Sequence, residues 1–158
     1  MFRAMIRSRQ TLSREACIAV LKQEPRGVLS LLGDGGYPYG VPLDHWYCEE
    51  DGKIYFHCGK RGHKIDAIRH CDKASFCVMD QGFRREGEWA LNISSVIVFG
   101  RISILEDQQE AIRITRALSY KYTQDSAFIE REIEQSGANV LVFALTPEHI
   151  TGKLVIES

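Results

Sequence analysis

The segment Tyr55-Phe56-His57-Cys58-Gly59-Lys60-Arg61-Gly62-His63-Lys64 concentrates more chemistry than any other stretch of the chain. Lys60, Arg61, His63 and Lys64 surround Gly59 and Gly62. Glycines let a backbone come close to a ligand, free N–H groups at a helix start point outward, and the cations supply charge. That combination suits an anion, most simply a phosphate. Ile54, Tyr55 and Phe56 are types that favour a strand, and Ile65 to Arg69 reads as a short helix, so the anion would sit at a strand-to-helix break. His63 and Lys64 fall at the positive end of that helix, a conflict that a bound phosphate removes. The plainer alternative is a solvated turn kept basic for solubility, because charge runs are usually that and a Gly-containing loop alone is a weak signal.

Other chemistries fit the spacing less well. His57-Cys58 and His70-Cys71 flank His63, but adjacent strand residues point to opposite faces, and the spacing matches no common zinc pattern. No metal site is therefore expected. A Cys–His nucleophile needs a geometry that the sequence does not show. Gly33-Asp34-Gly35-Gly36 lies between two strands with no helix after it and reads as a hairpin turn, not a phosphate loop. Trp46 and Trp89 could stack on an aromatic ligand, yet tryptophans more often serve a core or an interface.

The elements around these residues follow from pattern. Ser13 caps a short helix with Cys17, Val20 and Leu21 on one face, ended by Pro25 and Gly27. Val28 to Leu32 and Tyr37 to about Tyr47 form a hairpin, with Pro42 marking an edge or a bulge. After the central strand and short helix come a strand over Ala74 to Met79 and a polar loop over Gln81 to Glu88. The longest β signal spans Trp89 to Leu105, and its Val96-Ile97-Val98-Phe99 run is expected to be buried on both faces. Asp107 and Glu110 resemble a capping box ahead of a helix bearing Ala111, Ile114, Leu118 and Tyr122. A second helix runs from about Ser126 to Ser136, followed by strands over Val140 to Leu145 and Leu154 to Ile156. Hairpin-joined strands with helices added between them predict an antiparallel barrel rather than a doubly wound sheet.

Bulk properties bound the partners. The 158 residues fit one domain (1–158) with a substantial core, and 44% hydrophobic with 26% charged residues is ordinary for a globular protein. A net charge of −1 argues against binding nucleic acid by general phosphate attraction, so a small anionic ligand is favoured over a polymer. Five cysteines without a C-x-x-C pair read as free thiols in a reducing cytoplasm. No segment has the apolar length of a secretion signal or a membrane span, so cytoplasmic placement and no membrane contact are expected.

Three segments together carry a family resemblance: Gly36-Tyr37-Pro38-Tyr39-Gly40-Val41-Pro42, then Tyr55-Phe56-His57 with Gly62-His63-Lys64-Ile65-Asp66, then Ser95 to Arg101. In this order they resemble the flavin-binding relatives of pyridoxamine 5′-phosphate oxidase, and within them the nitroimidazole-resistance (Nim) group, which His149-Ile150-Thr151-Gly152-Lys153 also resembles. The resemblance spans about Arg7 to Lys153. It implies a mainly β split β-barrel of Greek-key type with added helices, usually a homodimer with FMN at the subunit interface, FAD being the alternative cofactor. By the same resemblance, His63 and Lys64 match the basic pair on the flavin phosphate and His57 the strand-end position beside it. Val41, Leu43 and Asp44 match the strand edging the isoalloxazine ring, and Ser95 a polar position near the cofactor. His57 is the catalytic candidate. The Arg-containing C-terminal pattern of the true oxidases is missing, so pyridoxal phosphate chemistry is not expected. The expected activity is a flavin-dependent reduction of small molecules such as nitroaromatic compounds. The alternative is a flavin- or haem-binding protein without turnover, in storage or sensing.

Overall fold

The structure, a computed structural model, describes residues 1–156. The strands β1 (Arg26–Leu32), β2 (Pro38–Asp44), β3 (Trp46–Tyr47), β4 (Ile54–Gly59), β5 (Lys73–Met79), β6 (Asn92–Ile104) and β7 (Val140–Ile156) form one sheet in the order β2-β1-β5-β6-β7-β4-β3. Every pairing is antiparallel. β2 and β3 lie at opposite edges of that sheet, yet His45 alone separates them in sequence. Successive Cα atoms are only about 3.8 Å apart, so the sheet must curl until its two edges meet. The result is a split β-barrel, as the sequence predicted. The split runs between β2, which pairs only with β1, and the end of β4, which pairs with β3 only at Ile54 and Tyr55.

Four helices decorate the barrel. Ser13 caps α1 (Arg14–Gln23), its hydroxyl accepting from the Ala16 N–H at 3.1 Å, and Cys17, Val20 and Leu21 are the buried face. The short α2 (His63–His70) buries Ile65, Ala67 and Ile68. Asp107 caps α3 (Gln108–Tyr120) by accepting from the N–H groups of Gln109 and Glu110, and α4 (Ser126–Ser136) packs on α3 through Ile129. Inside the barrel, Phe56 stacks on Phe143 at 5.1 Å and meets Phe76 edge-on at 5.0 Å. None of these helices is long and apolar enough to cross a membrane.

Three sequence expectations change. Val96 and Val98 are fully buried, but Ile97 and Phe99 are each 39% exposed, because strand alternation sends them to the outer face of β6, where Phe2 of the N-terminal segment covers Phe99 only in part. The long strand starts at Asn92, leaving Trp89 in an exposed loop. The separate strands over 140–145 and 154–156 are one strand, β7, of 17 residues. It stays continuous through Pro147 because the β6–β7 register shifts between Phe99 and Gly100, a bulge that accommodates a residue unable to donate to the ladder. A Cβ on Gly100 would clash with the Thr146 carbonyl oxygen, so the two backbones can approach this closely only at glycine.

Candidate functional site

One end of the split is closed by the start of α2. The chain leaves β4 at Gly59 and enters the helix through Gly62, whose φ of 129° is a conformation side-chain-bearing residues rarely adopt. The Gly62 carbonyl accepts from the N–H groups of Ile65 and Asp66, and no side chain caps the helix. The N–H groups of His63 and Lys64 therefore have no intrahelical acceptor. Lys60, Arg61 and Lys64 make no ion pair among the described residues. His63 is held from two sides. Its ring stacks on Tyr39 of β2 at 4.1 Å, and its Nε2 accepts from the Asp34 N–H at 3.3 Å, which leaves Nδ1 to offer a ligand. The turn containing Asp34, which joins β1 to β2 as expected, thus orients one of the basic pair.

At the other end stand His57 and Asp44. Trp46 pairs with Tyr55 and Tyr47 with Ile54, so the same register carried two residues back sets Asp44 opposite His57. Burial pushes the His57 imidazole below its ordinary pKa, the Asp44 carboxylate opposes this, and the Lys64 ammonium adds to the depression. His57 is thus a neutral hydrogen-bonding group near pH 7 rather than a standing proton donor. Both residues line a cavity of about 310 Å³ that extends beneath α3 and α4 to Thr115, Leu118, Phe128 and Ile133.

The seam between β2 and β3 holds a cluster that the sequence reading missed. His45 is fully buried, with Nε2 2.7 Å from the Leu21 carbonyl oxygen. The Tyr122 hydroxyl accepts from the His45 N–H at 2.9 Å and lies 2.6 Å from the Pro25 carbonyl oxygen. Lys121 Nζ donates to the carbonyls of Glu24 and Leu21 at the end of α1. Burial, reinforced by Lys121, lowers His45 to about 4; burial also lowers Lys121 to about 8, against the opposing pull of Asp44 and Glu24. His45 and Lys121 are 76 residues apart in sequence, so no local motif could have joined them.

The remaining predicted residues occupy different places. Val41 and Leu43 pack against the barrel core from β2, the strand bordering the split. Ser95 does not reach the split within one chain. It pairs with Met79, and continuing the β1–β5 register places it in the row of Arg26 and Asp44, three strands or roughly 14 Å from Asp44 on the sheet. Among the described residues no three His, Cys, Asp or Glu side chains converge in a metal-binding group.

A barrel closed by one residue and opened beside it, with a helix start at one end of the opening and an imidazole at the other, defines a split-barrel protein. The profile of the pyridoxamine 5′-phosphate oxidase family matches residues 13–154, and the chain belongs to that family. The resemblance seen in the sequence is thereby borne out. No curated protein matches the chain significantly. Among solved structures, an FAD-binding protein from Mesorhizobium loti shares 26% identity at a TM-score of 0.65, over 92% of this chain and 97% of the other. A candidate 5-nitroimidazole antibiotic resistance protein from Bacteroides thetaiotaomicron shares 19% identity at a TM-score of 0.75, over 94% and 90%. An FAD and haem binding protein from Mycobacterium smegmatis shares 20% identity at a TM-score of 0.72, over 92% and 72%.

Proposed function

We propose that the protein binds a flavin along the split, FMN before FAD, and uses it to reduce small molecules, nitroaromatic compounds among them. The observation that carries this reading is the α2 start, where uncapped N–H groups and cations without an ion pair among the described residues coincide at the end of an open strand edge. Those residues fit a phosphate: Lys64 and His63 Nδ1 would hold it, while the backbone of Val41 to Asp44 borders the ring. A bound flavin supplies the electron transfer. Around it, His57 would hydrogen-bond the reacting substrate as a neutral imidazole.

A second copy of this chain completes the reading. The outer face of the sheet exposes Val28, Cys77, Met79 and Ile97 in neighbouring positions, an apolar surface that suits a homodimer. Ser95 lies on that same sheet, so a partner subunit, rather than its own chain, would bring it to the cofactor. Ile97→Glu should then give a monomer by light scattering and release flavin.

The deciding measurement is the absorption spectrum of the purified protein, followed by release and identification of the flavin. Anaerobic reduction of a nitroimidazole with an added reductant should exceed the rate with free flavin; equal rates would leave a binding protein without turnover. A haem Soret band in place of flavin bands would replace the reading altogether.

A further inference from the structure

The cavity beneath α3 and α4 is larger than His57 and Asp44 alone require. Its volume of about 310 Å³ lies at the lower end of small-molecule pockets, roughly 300–1,000 Å³, which suits one or two rings. Its floor is His57, Asp44 and Val140, and its walls are Leu118 and Tyr122 on one side with Phe128 and Ile133 on the other. The charge of the lining is one-sided. Asp44 and Glu132 are carboxylates, His57 is held neutral by burial, and no lysine or arginine lines the cavity. Glu132 makes no ion pair among the described residues, whereas Asp44 bonds Arg26 at 2.6 Å outside the cavity.

We infer that this groove is a docking site for a small planar aromatic compound that is uncharged or positively charged, and that α4 sets which compounds enter. It rests on the flavin reading above, because the groove opens at His57, the residue placed beside the ring. Aromatic faces of Tyr122 and Phe128 supply stacking surface, and the apolar walls supply the driving force. Asp44 is already paired with Arg26, so it is at Glu132 that an organic acid would bring its carboxylate beside a second one, with no lysine or arginine among the lining residues to pair it, and it would lose its hydration on entry. α4 carries Phe128, Glu132 and Ile133, so substitutions on this one surface helix change the site's size and charge while the barrel stays as it is. The groove thus separates choice of substrate, set by α4, from retention of cofactor, which falls to Lys64 and His63 at the start of α2.

The test titrates the protein as purified with benzylamine, benzyl alcohol and benzoate while following backbone amide chemical shifts. Benzylamine and benzyl alcohol should move the amides of Thr115, Ser119 and Val140, and benzoate should not. Ile133→Trp, which fills the groove from α4, should weaken both ligands at least ten-fold with flavin absorbance unchanged. Glu132→Gln, an exposed substitution with little effect on folding, should narrow the preference for benzylamine over benzoate several-fold. Shifts that spare α3 and α4, or benzoate binding as well as benzylamine, overturn the proposal. So does loss of flavin in Ile133→Trp at an unchanged melting temperature, which would make the groove part of the cofactor site. A colourless parent protein that still binds benzylamine in the groove refutes the flavin reading and the link to reduction together, leaving the docking site itself established.

Discussion

Two clusters of basic and imidazole side chains sit in this barrel, and they are built in opposite ways. At the α2 start, Lys60, Arg61 and Lys64 have no ion-pair partner among the described residues, and the helix lacks a side-chain cap. At the β2–β3 seam, His45 and Lys121 are turned onto carbonyls of α1, and Tyr122 bonds both the N–H of His45 and a neighbouring carbonyl. The seam turns its polar groups onto partners within the chain, His45 Nδ1 excepted, and so ties α1 and the end of α3 to the closure. The helix start leaves them open and so suits a ligand that brings negative charge. Charge alone does not mark a site; the state of its hydrogen bonds does.

The sharpest way to break that contrast is to remove the open cluster. His63→Ala with Lys64→Ala should weaken flavin retention by at least about a hundred-fold, as expected from losing two charge-assisted hydrogen bonds of about 1.5–3 kcal/mol each. The melting temperature of the flavin-free protein should barely move; an unchanged flavin affinity would refute the phosphate assignment. The closed cluster should respond to pH instead. Burial holds His45 near 4 in the fold while the unfolded chain titrates at about 6.5, so the unfolded state takes up the proton first as pH falls. Stability present above about 6.5 should therefore decline by about 3 kcal/mol as pH drops through this window, in urea titrations at each pH. His45→Gln should flatten that slope. Tyr122→Phe leaves the His45 N–H and the Pro25 carbonyl short of a partner and should cost about 1–3 kcal/mol in the same assay, without any first-order effect on flavin. Arg26→Gln removes only an exposed ion pair with Asp44 and should change stability by less than about 1 kcal/mol. A larger loss there would mean that Asp44 depends on Arg26 for its place opposite His57.

Local signals carried a good part of the architecture. Ser13 and Asp107 cap the helices they were expected to cap, Pro42 does lie on an edge strand, and the apolar faces of α1 and α3 are the buried ones. These features were legible because caps, edge prolines and helical periodicity depend on neighbours within a few residues. The errors arose where a long-range partner decides. Ile97 and Phe99 look like core residues, but they fall on the outer face of the sheet, where Phe2 gives Phe99 only partial cover. Pro147 and Gly152 look like strand breakers, yet β7 continues past both because β6 pairs along it and absorbs the irregularity at Gly100.

For the site, residue types by themselves determined the basic strand-to-helix break, the anion it invites and the strand-end imidazole beside it. Those depend on a contiguous run of ten residues, whose backbone geometry follows from its own glycines. Tertiary structure decided the rest. Barrel closure through the single residue His45 brought Asp44 opposite His57, sent Tyr39 and Asp34 to fix His63, and left Ser95 three strands from its expected neighbours. It also set α3 and α4 over His57, forming a groove from residues up to 83 positions away in sequence. Such contacts depend on how a curled sheet meets its own edge, a geometry that no short stretch of sequence encodes.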